Sequence, residues 1–160
     1  MLKRLEENNL FVKPEKCRWK VREVEFLGVV IGSKGVEMQK ENMEGVLSWP
    51  APKNVKEVQK FLGLANYYRW FIKNFAKIAM LLHVLVRKKQ KWKWEKEQKE
   101  AFGKLKMVFT IEPVLAIPDI DREMRVEADA SDYVTGEVLL TKCKDGKWRP
   151  VAFISKLLNI

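Results

Sequence analysis

The chain is short of cysteine, histidine and acid, and each shortage excludes something. Cys17 and Cys143 stand far apart and belong to no metal-ligand pattern, so two reduced thiols are expected. His83 is the one histidine. It lies among apolar residues, which fits a packed or half-exposed imidazole better than a catalytic one. No apolar run is long enough to span a bilayer. The opening MLKRLEENNL alternates charge with apolar residues and lacks the apolar heart of a signal peptide. An intracellular chain with no membrane partner is therefore expected. There is no internal repeat and no low-complexity segment. Acid is outnumbered, 21 Asp and Glu against 31 Lys and Arg, for a formal charge of +10. That surplus calls for an acidic partner, nucleic acid before an anionic membrane.

What is present suffices for a core. The 160 residues, 47% of them hydrophobic, make one ordinary domain or two small ones. The stretch Lys53 to Phe75 keeps a helical period. Asn54 stands three residues ahead of Glu57 as an amino-terminal cap. Val55, Val58, Leu62 and Ala65 fall on one stripe, with Phe61, Leu64 and Tyr68 beside it. Lys53, Lys56, Lys60, Arg69 and Lys73 are left for solvent or a polyanion. An amphipathic helix packed on a core and a basic helix lying along a nucleic-acid backbone are both open, and both can hold at once.

Before that stretch, Met1 to Asn9 reads as the tail of a helix. Leu10 to Lys13 is β-like, and Pro14 forces a turn. Arg18 to Val21 and Glu23 to Ile31 read as strands, the second partly buried. Gly32-Ser33-Lys34-Gly35 is a hairpin turn with Val36 to Met38 returning. Lys40 to Leu47 is a short helix, stopped by Trp49-Pro50-Ala51-Pro52. After it, Ala76 to Val86 is a helix with Asn74 as cap and Ile78, Leu81, Leu82 and Leu85 inward. From Arg87 to Lys106 run nine Lys and Arg against three Glu, with Trp92 and Trp94 among them. Basic residues interleaved with indoles suit phosphate neutralisation and stacking. A solvated surface whose tryptophans cover a core fits equally. Glu95 to Phe109 reads as a helix with Ala101, Phe102, Leu105, Val108 and Phe109 inward. Near Pro118 the period turns from helical to β. Met124, Val126 and Ala128 alternate with Arg125, Glu127 and Asp129. Val134 to Thr141 and Trp148 to Ser155 follow as strands around the turn Lys144 to Lys147, and the start of a helix is expected after Ser155.

Six segments in this order, PEKC (14–17), VEFLG (24–28), FLGLANYYR (61–69), EAFGKLK (100–106), PVLAIPD (113–119) and EADASDY (127–133), resemble the Pol polyprotein of Ty3/gypsy-type LTR retrotransposons. The resemblance covers essentially the whole chain. It implies an α+β chain of three parts. Residues 1–38 would be the end of a reverse-transcriptase palm with a β-hairpin. Residues 39–112 would be a helical thumb and linker, and residues 113–160 the first strands of a truncated RNase H-like mixed sheet. It implies that Phe26, Leu27 and Gly28 belong to a primer-grip hairpin. The expected partners are a template–primer duplex or RNA–DNA hybrid and the rest of the polyprotein. The expected backbone contacts are Lys53, Lys56, Lys60, Arg69, Lys73, Arg87, Lys88, Lys89, Lys91, Trp92 and Lys93. Asp129 would match the first of four RNase H carboxylates that hold two magnesium ions. Two-metal phosphodiester cleavage needs cations on both the attacking water and the leaving oxygen, held mainly by carboxylates and waters. One aspartate cannot hold both. Glu127 shares its face, but Asp132 lies past the strand as a turn residue. The other three carboxylates are expected after Ile160 and the polymerase Tyr-x-Asp-Asp before Met1, so this chain is expected to bind no magnesium and to be inactive alone. Three positions depart from the family pattern. Trp70 replaces a second basic residue, Leu81 a proline, and Glu137 a small residue whose carboxylate costs a few kcal/mol if buried unpaired. The alternatives are a non-enzymatic nucleic-acid- or protein-binding remnant and a relic without function.

Overall fold

The computed structural model describes residues 1–111 and 114–158. A short helix, α1 (Leu2–Glu7), precedes an exposed irregular stretch. Then come three short strands, β1 (Glu23–Phe26), β2 (Val29–Gly32) and β3 (Gly35–Met38), paired antiparallel in that order. Four helices follow, α2 (Lys40–Leu47), α3 (Val55–Tyr67), α4 (Phe75–Leu85) and α5 (Lys96–Val108). A second antiparallel sheet, β4 (Met124–Ala130), β5 (Val134–Lys142) and β6 (Trp148–Leu157), ends the described chain. The architecture is mixed α and β, and every strand pair described is antiparallel.

One apolar cluster joins the parts. It runs from Val29 and Met38 of the first sheet through α2 to α5 and on to Leu115, and Phe153 of β6 packs against it. Phe61 of α3 meets Phe102 of α5 with ring centroids 4.6 Å apart. Leu115 exchanges two backbone hydrogen bonds with Val36 of β3, at 2.8 and 3.0 Å. The next residue, Ala116, donates its N–H to the carbonyl of Pro150 on β6 at 2.7 Å. Two adjacent residues thus splice the two sheets together.

Several elements form where the sequence places them, and their local chemistry shows why. Asn54 caps α3: its Oδ1 accepts the Glu57 N–H at 3.0 Å, and the Glu57 carboxylate accepts the Lys53 N–H at 2.8 Å. Such a reciprocal cap is worth about 1 kcal/mol. Glu95 and Gln98 build the same box at the start of α5. Helix α2 spans the expected residues.

Other elements differ. Leu10–Lys13 and Arg18–Val21 form no strand, because no neighbouring strand among the described residues offers them a ladder. The run Glu23–Ile31 is not one strand. It folds back at Leu27 and Gly28, whose φ values of 48° and 80° make the two-residue primed turn that matches strand twist. Lys53–Phe75 is not one helix. It stops at Tyr67, passes through a 3-10 turn at Arg69–Phe71, and restarts after Asn74 at φ 60°. Tyr68, Phe71, Ile72 and Phe75 are all buried, at the i, i+3, i+4, i+7 spacing that a continuous helix would also bury, so the break does not show in the apolar pattern. The buried stripe of α4 is turned from the expected one. Ala76 and Ala79 join Leu82 and Leu85 inside, while Ile78 and Leu81 are half-covered. Asn74 precedes α4 but its side chain does not cap it; Ser155 Oγ of β6 accepts the Ala76 N–H instead, at 2.8 Å. β6 continues to Leu157 where a helix start was expected.

Candidate nucleic-acid interface

The β1–β2 turn carries Phe26, 58% exposed, and Leu27, 68% exposed. It is held from behind by the end of α3. Tyr67 Oη donates to the Leu27 carbonyl at 2.6 Å, and Tyr68 Oη donates to the Gly28 carbonyl at 3.2 Å. The Gln39 N–H donates to that same Gly28 carbonyl at 3.1 Å. Burial, and after it the neighbouring Tyr67, holds the Tyr68 hydroxyl above its ordinary pKa, so it stays a donor. Two exposed apolar side chains are therefore presented on a rigid turn. The tyrosines that fix the turn lie forty residues away in sequence, and nothing in the sequence paired them with Leu27 and Gly28.

On α3 the spacing of Lys56, Lys60 and Tyr67 forms one line. At 1.5 Å of rise per residue, Lys56 lies about 17 Å from the tyrosine that grips the turn. Lys53, Lys56, Lys60, Arg69, Lys73, Arg87, Lys88, Lys89 and Lys91 are all exposed. Among the described residues none of these side chains is ion-paired. Lys93 is paired, its Nζ 3.1 Å from Glu95. The Trp92 ring stacks on Trp94 at 5.6 Å with planes 3° apart, and Trp94 meets Phe102 of the core edge-on. One indole covers the core and the other rides on it with an outer face in solvent.

The structure divides the remaining basic residues between two places. Lys73 and Asn74 line a cavity of about 360 Å³ together with Glu127, Asp129 and Gly136. Arg69 and Arg87 line a different one. Asp129 is exposed on β4, opposite Gly136, and Glu127 shares its face two residues earlier. Glu127 already accepts from Arg125 Nη2 at 2.7 Å. Asp132 sits in the β4–β5 turn. Among the described residues no three His, Cys, Asp or Glu side chains converge. One free carboxylate and one engaged one do not make the donor set that two magnesium ions require.

The three departures each find a structural place. Trp70 Nε1 donates to the Tyr67 carbonyl at 3.0 Å and its ring lies on Phe71. Leu81 lies inside an unbroken α4. Glu137 is half-buried, with Ala128 and Ile154 as its ladder partners.

The RNase H-like domain found in reverse transcriptase matches residues 94–160. The Tf2-3 and Tf2-4 transposon polyproteins of Schizosaccharomyces pombe are 37% identical over 159 residues, which is 99% of this chain. Nearly the whole chain is thus similar to one part of these retrotransposon polyproteins. It spans 12% of the length of those relatives. Two solved structures of the foamy viral protease-reverse transcriptase have the same fold. The one in complex with RNA/DNA hybrid aligns with a TM-score of 0.78 at 25% identity, covering 91% of this chain and 20% of that one. The one in complex with dsDNA aligns with a TM-score of 0.75 at 25% identity, covering 87% and 29%. Sequence reasoning does not single out Lys156, and it makes Asn74 a helix cap and His83 a packed or half-exposed imidazole; all three line the same cavities as the cations expected to meet a duplex. No helix among the described residues is long and apolar enough to cross a membrane.

Proposed function

We propose that this segment grips a template–primer duplex for a longer reverse transcriptase/RNase H polyprotein. The observation that carries the reading is the continuity of one surface. Unpaired lysines on α3 lead to Tyr67, and Tyr67 holds the exposed Leu27 turn by a 2.6 Å hydrogen bond. Lysines neutralise strand phosphates without reading sequence, and an apolar turn held rigid can bear on a sugar or base at a strand end. The binding of RNA/DNA hybrid by the foamy viral relative supports the choice of ligand. In this reading residues 1–38 are the end of a palm, 39–112 a thumb and linker, and 113–160 the opening of the RNase H-like domain. Phe26, Leu27 and Gly28 are its primer grip.

Asp129 contributes one carboxylate toward RNA-strand cleavage by the complete polyprotein, and the chain alone binds no magnesium and does not cleave. Leu10, Phe11, Trp19 and Val21 are exposed, Phe11 at 95%. An apolar surface of that kind suits the rest of the polyprotein as its cover.

The test is binding of the purified chain to a labelled RNA–DNA hybrid across a salt series, with magnesium-dependent cleavage read in the same tubes. Salt-sensitive binding without cleavage is expected. Cleavage that disappears in Asp129→Asn would overturn the claim of an incomplete catalytic site. No binding at low salt would overturn the gripping role and leave a functionless surface.

A further inference from the structure

Three segments far apart in sequence wall a cavity of about 510 Å³: Asn66 in the last turn of α3 with Arg69 just after it, His83 on α4 with Arg87 just past its end, and Lys156 on β6. The sequence explains how they meet. Ala76 and His83, seven residues apart, fall on one face of α4, and Arg87 follows four residues after His83, just past the helix end. The hydrogen bond from the Ala76 N–H to Ser155 Oγ, 2.8 Å, fixes that face against the end of β6. The 3-10 turn at Arg69–Phe71, which interrupts the expected long helix, swings Arg69 to the same opening.

The charge of this cavity is one-sided. Among the described residues, two guanidinium groups and one ammonium line it and no carboxylate does. None of the three is ion-paired among the described residues. Gathering like charges around one hollow costs energy unless an anion enters it. His83 feels the same field: burial first, and Arg87 next, hold its pKa below the ordinary value. Paired guanidiniums suit the flat faces of a tetrahedral oxyanion, donating two parallel hydrogen bonds each. The Asn66 amide adds a neutral donor. Arg69, Arg87 and Lys156 are all exposed, so the cavity opens to solvent and admits a group that is part of a longer strand.

We infer that the cavity walled by Arg69, Arg87 and Lys156 is a phosphate-binding site. A phosphate of a bound strand or a free phosphate ion supplies the same chemistry. The choice of a strand phosphate rests on the duplex-gripping role; the affinity for phosphate does not.

His83 is the one histidine in the chain, so its imidazole proton resonance reports on this cavity alone. Inorganic phosphate is titrated against the full chain at constant ionic strength. A saturable shift of that resonance is expected, together with a rise in the His83 pKa as the anion offsets Arg87. Both should vanish in Arg69→Gln/Arg87→Gln and survive in Lys144→Gln, a lysine of the distant β5–β6 turn. An unchanged melting temperature shows that the double variant is folded. No saturable response, or an equal one in the double variant, overturns the site. A second arm measures RNA–DNA hybrid binding. The double variant should make the dependence of log affinity on log salt shallower by about one. If hybrid binds both proteins with one slope, the strand phosphate is overturned as occupant while gripping stands. If hybrid binds neither, gripping falls, and the phosphate titration alone decides the cavity.

Discussion

Replacing Gly28 by alanine should unfold the hairpin from the helices, and the cost can be worked out from the turn. Gly28 has φ +80°, and a Cβ there would lie 2.4 Å from Tyr68 Oη and 3.2 Å from Asn42 Nδ2. Tyr68 is 2% exposed and cannot swing aside without repacking against Phe71 and Phe109. A left-handed φ costs an alanine about 1 kcal/mol. Losing the Tyr68 hydrogen bond to the Gly28 carbonyl costs about 1 kcal/mol more. Forcing a methyl into a packed site adds about 1–3 kcal/mol. The sum, about 3–5 kcal/mol, is a large share of the stability of an ordinary domain. At about 2–4 °C per kcal/mol for a chain of this size, the melting temperature should fall by roughly 6–20 °C. Gly63 on α3 is the control. Nothing lies within 4 Å of a Cβ built there, and a helix-interior alanine gains about 0.5–1 kcal/mol over glycine. Thermal and urea denaturation followed by circular dichroism should therefore move in opposite directions for Gly28→Ala and Gly63→Ala. A Gly28→Ala protein that melts within 2 °C of the parent would refute the account of how the turn is held.

Three further outcomes are expected. Asn54→Ala removes the cap of α3 and Ser155→Ala the cap of α4; each should cost about 1 kcal/mol in urea denaturation, and the second should also loosen β6 in hydrogen exchange. His83 has a folded pKa held below its ordinary value of 6.5, so the unfolded chain takes up its proton first. Stability should therefore fall as pH drops through 6.5 toward the lower folded value, and the His83→Gln protein should lack that component in melts across this window. Lys56→Gln/Lys60→Gln should make the salt dependence of hybrid binding shallower by about two, read by fluorescence anisotropy.

Where local chemistry decides an element, the residues announced it. Asn54 and Glu57 mark the start of α3, alternation marks β4, and the Trp-Pro-Ala-Pro elbow ends α2. Where packing decides, they did not. The apolar run after Val24 hid the turn at Leu27 and Gly28, because a buried strand and a hairpin of two short strands share the same composition. The helical period of 53–75 hid its break, because the cost of stopping at Tyr67 is met by burying Tyr68, Phe71 and Ile72 against α5 and the first sheet. At the site, the cations were legible one by one. Their sorting was not: Lys73 goes to the Asp129 cavity and Arg69 to the one with His83 and Lys156, and only the folded chain brings those partners together.

The central claim is that one surface, from the Leu27 turn along α3, meets a duplex. Amide chemical-shift mapping of the chain with an RNA–DNA hybrid tests it most directly. The account predicts the largest shifts at Leu27, Gly28, Lys56, Lys60 and Tyr67, with Arg69 and Arg87 following, and little change at Val126 and Ile154. Shifts confined to β4–β6, or spread evenly over every exposed lysine, would contradict it.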